Sequence, residues 1–106
     1  VANTKIVSKV TKEEFTDLTA SKEIRVSPHA FFRLSDPQRE QFTKQTLINF
    51  FQHHQPVFIG KQANENYSTF YGYQQHYLRI VFAVKEHYIE IITFLCIKRI
   101  PVLEHD

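Results

Sequence analysis

The sequence predicts an α+β domain, with helices in its first half packed on one face of a twisted antiparallel sheet of three to five strands from its second half. Three observations lead there. Up to about residue 55 the chain carries helix caps and helix-spaced apolar residues, and from Pro56 onward the apolar period becomes strand-like. The third is composition: 106 residues, 42% hydrophobic with 10 Phe and 5 Tyr, supply enough apolar surface for one core. Two Gly and four Pro argue against low complexity, and a lone cysteine, Cys96, excludes an internal disulfide framework. The fold must stand on packing.

Residues 1–10 mix Lys with Val and Ile and read as an arm or an edge strand. Thr11 followed by Glu14 forms a capping box, which predicts a short helix over 12–19 with Phe15 and Leu18 as its apolar stripe. Residues 1–22 thus form an arm and short helix ahead of a core spanning 23–106. From Glu23 to Ser27 the residues alternate, with Ile24 and Val26 on one side, which predicts a brief strand. Ser27-Pro28 then signals a helix start, because Ser accepts from free N–H groups and Pro has none to lose. A helix here sets His29 and Arg33 four residues apart on one face near the positive helix end, an imidazole beside a fixed cation. The plainer reading is that His29 packs a turn and Arg33 is solvated. Ser35-Asp36-Pro37 repeats the signal, and the second helix is expected from Pro37 to about His54, where Gln55-Pro56 stops it. On its wheel Leu47, Phe50, Phe51 and His54 cluster, which predicts packing against the sheet.

Val57 to Ile59 begins the strands, Gly60 to Asn66 reads as a polar loop, and Tyr67 to Tyr73 is β-prone and aromatic. Gln74-Gln75 turns the chain into a strand over 76–84, and Lys85, Glu86 and His87 turn it into the last, over 88–97. The register of that last hairpin stays open. A two-residue turn at Lys85-Glu86 sets Arg79 opposite Ile92, whereas a three-residue turn pairs Arg79 with Thr93 and gathers Tyr77, Arg79 and Thr93 on one face.

The formal charge is +2 and the pI about 8.8, which permits a polyanionic partner without requiring one. No apolar run approaches the roughly 18 residues that span a bilayer, and Val1 to Lys5 carry no signal-like segment, so the expectation is a soluble domain with no membrane insertion. His53-His54 lacks the ligand spacing and company of a metal site. With only Gly60 and Gly72, no Gly-rich phosphate loop exists, and Cys96 in an apolar strand reads as core. The chain therefore offers His, Arg, Tyr and Thr with no metal and no cofactor. Such a set suits RNA cleavage through attack of the 2′-OH, with imidazole moving the proton and guanidinium holding the phosphate.

Ile24-Arg25-Val26-Ser27, then His29-Ala30 and Arg33, a long helix, Tyr77-Leu78-Arg79-Ile80-Val81-Phe82 and Ile89-Glu90-Ile91-Ile92-Thr93-Phe94 form a pattern that resembles the RelE/ParE-like toxin superfamily. More broadly it is similar to the group linking barnase, EndoU, the tRNA-cleaving colicins and RelE. The resemblance covers about residues 23–97; residues 1–22 have no counterpart, and the Trp of some relatives is missing. It implies helices packed on a twisted antiparallel sheet whose open face binds RNA. It also implies His29 as general acid or base, Arg33 and Arg79 as phosphate contacts, and Thr93 as the group orienting a phosphate oxygen or the 2′-OH. Tyr71, Tyr77 and Lys98 complete the RNA-contacting set.

The same resemblance implies a metal-independent ribonuclease toxin acting in the bacterial cytoplasm on tRNA in preference to mRNA. An acidic proteinaceous inhibitor, an immunity protein or antitoxin, would cover its basic face. The absence of Met suits a C-terminal domain of a contact-dependent growth-inhibition effector, and a free-standing toxin as well. Two other readings stand beside it: a non-catalytic binding domain of the same fold, and a gyrase-directed ParE-like toxin.

Overall fold

The computed structural model describes residues 5–31 and 43–100. In chain order these form β1 (Ile6–Lys9), α1 (Lys12–Thr19), β2 (Glu23–Val26), a 3-10 turn (Pro28–Phe31), α2 (Lys44–His53), β3 (Phe58–Gln62), β4 (Tyr67–Tyr73), β5 (His76–Val84) and β6 (Tyr88–Ile97). The α+β class holds, but the sheet has six strands in the order β1-β3-β4-β5-β6-β2. The last four strands make the expected antiparallel meander, to which β1 adds antiparallel on β3 and β2 adds parallel on β6. The sheet is therefore mixed, where an all-antiparallel sheet of three to five strands was expected. Among the described residues no helix is long and apolar enough to cross a membrane.

The capping box forms as the sequence predicts. Glu14 N–H donates to Thr11 Oγ1 at 3.0 Å, and Thr11 N–H donates to Glu14 Oε1 at 3.3 Å. The resulting helix, α1, buries no residue fully and is held through Phe15, whose ring meets Phe51 edge-on at 5.7 Å and Phe82 at 6.0 Å. The second helix differs from expectation at its start. Thr43 is its N-cap, in extended conformation with Oγ1 accepting from Thr46 N–H at 3.1 Å, so α2 opens at Lys44. The expected start near Pro37 lies outside the described residues. Thr43 is as good a cap as Ser35 or Asp36, and helix spacing alone does not choose among them. At the other end His54 caps the helix, close to the expected stop.

Both helices cover one face of the sheet. From α2, Leu47 and Phe51 are buried, Phe51 packs edge-on against Phe82 at 5.0 Å, and Phe50 meets Tyr71 at 5.0 Å. Beneath them lie Leu78, Ile80 and Phe82 of β5 with Ile89, Ile91 and Phe94 of β6, all in one apolar cluster. Each such side chain contributes about 1.5–3 kcal/mol relative to exposure, so this layer dominates the stability.

The β5–β6 hairpin takes neither expected register. Lys85 N–H donates to the Tyr88 carbonyl at 2.9 Å, which leaves Glu86-His87 as the loop and pairs Val84 with Ile89. Further along, Phe82 pairs with Ile91 but Val81 pairs with Thr93, so Ile92 is an extra residue, a β-bulge. Arg79 consequently lies opposite Leu95. Tyr77, Arg79 and Val81 still share a face with Thr93, the face turned away from α1 and α2. Residues Ser68 and Phe70 of β4 join them there through their pairing with Val81 and Arg79.

Candidate functional site

Arg79 is the centre of the polar chemistry on that second face. Its Nε–H donates to Ser68 Oγ at 3.0 Å and its Nη2 to Gln62 Oε1 at 2.8 Å, while the Ser68 hydroxyl donates to the same Gln62 oxygen. An arginine has only donors, so the Gln62 amide must turn its oxygen inward. Its Nε2 then reaches the β3–β4 loop, donating to Asn64 Oδ1 at 3.0 Å, and Asn64 Oδ1 also accepts from Asn66 N–H at 3.1 Å. Gln62 and Ser68 are fully buried, and the guanidinium lies over the Phe70 ring, 5.3 Å from its centre. Burial pushes the Arg79 guanidinium down from its ordinary value, yet arginine remains a cation at any physiological pH. A permanent charge is thus set in a fixed plane on a sheet, with its Nε/Nη2 edge tied to neutral acceptors.

Thr93 is half-buried on the same face. It stands diagonally across from Arg79, a relation that sets Cα atoms about 7–8 Å apart. Tyr77 is two pairs further along β5 from Arg79, opposite Ile97 and half-buried. Toward the other end Arg25 of β2 lies 4.1 Å over the ring of Tyr88 and pairs with Glu23 at 3.1 Å. Tyr77, Arg79 and Thr93 are therefore brought together, as the three-residue-turn register had been expected to do, although a bulge achieves it.

His29 is exposed in the 3-10 turn beyond β2. Ser27 ties the turn to the sheet, its N–H donating to the Ile91 carbonyl at 2.8 Å and its Oγ accepting from His29 N–H at 3.3 Å. Buried Ala30 and the ring of Phe31, edge-on to Phe94 at 5.4 Å, fix the turn against β6. His29 thus stands on the opposite side of β6 from Arg79. The expected helix is a four-residue 3-10 turn over the described residues, so the helix-dipole argument for His29 weakens. Arg33, its expected partner, lies outside the described residues.

Tyr71 takes a different place from the one expected. It is 1% exposed and faces the helices, so it has no surface on which RNA could stack. Its hydroxyl and that of Thr69 are buried with no hydrogen-bond partner among the described residues. Burial pushes the Tyr71 phenol up to about 12. Lys98 is exposed just past β6. Cys96 is exposed rather than core, and partial burial raises its thiol, which favours the unreactive neutral form.

Gln62 and Ser68 were not foreseen as site residues. The sequence places Gln62 in a polar loop over 60–66, whereas β3 extends through it and Gly60 is in the strand. Only the pairing of β3, β4 and β5 brings these residues to Arg79, and no local pattern carries that information. Comparison with protein-family models, with curated proteins and with solved structures finds no match for this chain, so the site is read from its own geometry.

Proposed function

We propose that this chain is a metal-independent ribonuclease domain of the RelE-like kind, a toxin that cleaves RNA, tRNA in preference to mRNA, by attack of the 2′-OH on the adjoining phosphate. One observation carries the reading: Arg79 and Thr93 share a sheet face with Tyr77; His29 lies across β6 from them, so the reading has the RNA pass over the β2–β6 edge to meet both. In this reading His29 takes the proton from the 2′-OH or returns one to the leaving oxygen. Arg79 stabilises the charge that grows on the phosphate oxygens, and Thr93 orients one of them. Tyr77 supplies a ring on which a base stacks, and Lys98 adds a phosphate contact. A protein inhibitor of acidic character would act by covering this face.

The test is incubation of the purified domain with total bacterial RNA in excess EDTA, for wild type and His29→Ala, read on a denaturing gel beside the melting midpoint of each. Discrete fragments from the wild type, absent with a variant that melts normally, are the expected result. Intact RNA at high protein concentration would overturn the proposal.

A second reading is favoured by the Gln62–Ser68–Arg79 triangle itself. An arginine whose donors hold a buried serine and glutamine can serve the fold alone, as in a non-catalytic binding domain. The same gel separates the two readings, because a binding domain leaves RNA intact.

A further inference from the structure

We propose that the groove between α1 and the end of α2, on the side of the sheet opposite Arg79, is a binding site for a nucleoside monophosphate. The groove encloses about 470 Å³, within the range of about 300–1,000 Å³ in which small-molecule sites fall. Lys12 and Thr16 line it from α1, Lys22 from just before β2, and His53 and His54 from the end of α2, with no acidic residue among the described lining residues. The acidic residues nearest in sequence on α1, Glu13 and Asp17, sit one position along from Lys12 and Thr16, turned away by about 100° around the helix. Lys12 and Lys22 are lasting cations of this lining and no carboxylate of the described lining residues answers them, so an anion entering the groove is attracted.

The rest of the lining selects the kind of anion. The floor is apolar: Phe15 is partly exposed and offers a ring edge or face to a base, with buried Phe51 packed behind it. The hydroxyls of Thr16 and Thr19 donate back to the carbonyls of Lys12 and Phe15, both at 2.9 Å, so toward the groove they can only accept. Acceptors beside a cationic rim fit a ligand with hydroxyl or amino donors next to its phosphate, as a ribose or an exocyclic amine provides. The rim is also pre-set. The His54 ring stacks on Phe50 with centroids 3.9 Å apart, and Lys22 Nζ donates to the Lys85 carbonyl at 2.7 Å with two further N–H groups remaining.

The test is calorimetric titration of the whole domain with AMP, adenosine and inorganic phosphate in turn, at matched ionic strength. It uses wild type, the double variant K12Q/K22Q and, as a charge control away from the groove, K44Q; circular dichroism confirms the fold of each. AMP is expected to bind more tightly than either adenosine or phosphate, at least tenfold more weakly to K12Q/K22Q, and unchanged to K44Q. Equal binding of phosphate and AMP, equal weakening by K44Q, or no AMP binding to folded wild type at millimolar concentration would each overturn the assignment. RNA cleavage measured on the same samples reads His29, Arg79 and Thr93, none of which lines the groove, so the two proposals stand or fall separately.

Discussion

Replacing Tyr71 by Phe removes a single oxygen from the helix-covered core and changes how stability depends on pH. In the wild type the phenol is pushed from 10.0 up to about 12 by burial. Between those values the unfolded chain gives up the phenol proton while the folded chain keeps it. The unfolded state then binds fewer protons, so stability is whole below pH 10 and falls as pH rises through the window. Two units at about 1.4 kcal/mol each correspond to a limiting loss of about 2.7 kcal/mol, complete only above pH 12. The Tyr71→Phe variant lacks this loss, and the difference between the two proteins isolates Tyr71 from the other tyrosines. Near neutrality the effect has the other origin. A buried hydroxyl with no partner among the described residues costs free energy, so the variant is expected to equal the wild type or exceed it by about 1 kcal/mol, a rise of about 4–8 °C in melting midpoint. Urea unfolding at half-unit steps from pH 7 to 11.5 measures both. Parallel curves above pH 10, or a loss of more than about 1 kcal/mol at pH 7, would refute the reasoning, the second by showing that the hydroxyl has a partner.

A methyl group at Gly60 would lie 2.6 Å from Ile6 Cγ2 and 3.3 Å from Phe58 Cε2. Gly60→Ala is therefore expected to cost about 1–3 kcal/mol by pushing β1 off β3, and Ile6→Ala in the same chain to recover part of it, read by a double-mutant cycle of urea midpoints. Arg79→Met keeps the stem over Phe70 and leaves Ser68 and Gln62 bonded to each other. Under the proposed function it should retain a cooperative melt yet lower RNA cleavage by about 10²–10³-fold, and undiminished cleavage would remove Arg79 from the reaction.

What the sequence disclosed tracks the distance over which each feature is decided. The Thr11–Glu14 box is made by residues three apart, and its helix falls at 12–19 as the spacing predicts. The pairing of β2 with β6 joins residues more than sixty positions apart, Glu23 with Tyr88, and nothing within the four residues of β2 says parallel or names a partner. The site divides the same way. Arg79 and Thr93 were visible as polar residues in apolar strands, while Gln62 and Ser68 became partners only through the register of three strands. Tyr71 was misplaced because alternation along β4 divides its residues between two faces without saying which the helices cover.

The bulge at Ile92 shows how near the site came to being legible. Turn length leaves the register open, and the loop observed, closed by Lys85 and Tyr88, would by itself put Phe94 opposite Arg79 and Thr93 opposite Ile80. That arrangement exposes a large aromatic ring to the polar face and buries a hydroxyl under the helices. The core instead takes Ile89, Ile91 and Phe94 together. Their spacing of two and then three cannot fit one face of a regular strand, whose side chains alternate. One extra residue between Ile91 and Thr93 resolves the conflict and returns Thr93 to the face of Arg79. The irregular spacing was present in the sequence, masked because Ile92 is itself apolar and makes the run from Ile91 to Phe94 read equally well in either phase. The burial of Phe94 thus decides where Thr93 stands, and the polar face is set by the packing demands of the core behind it.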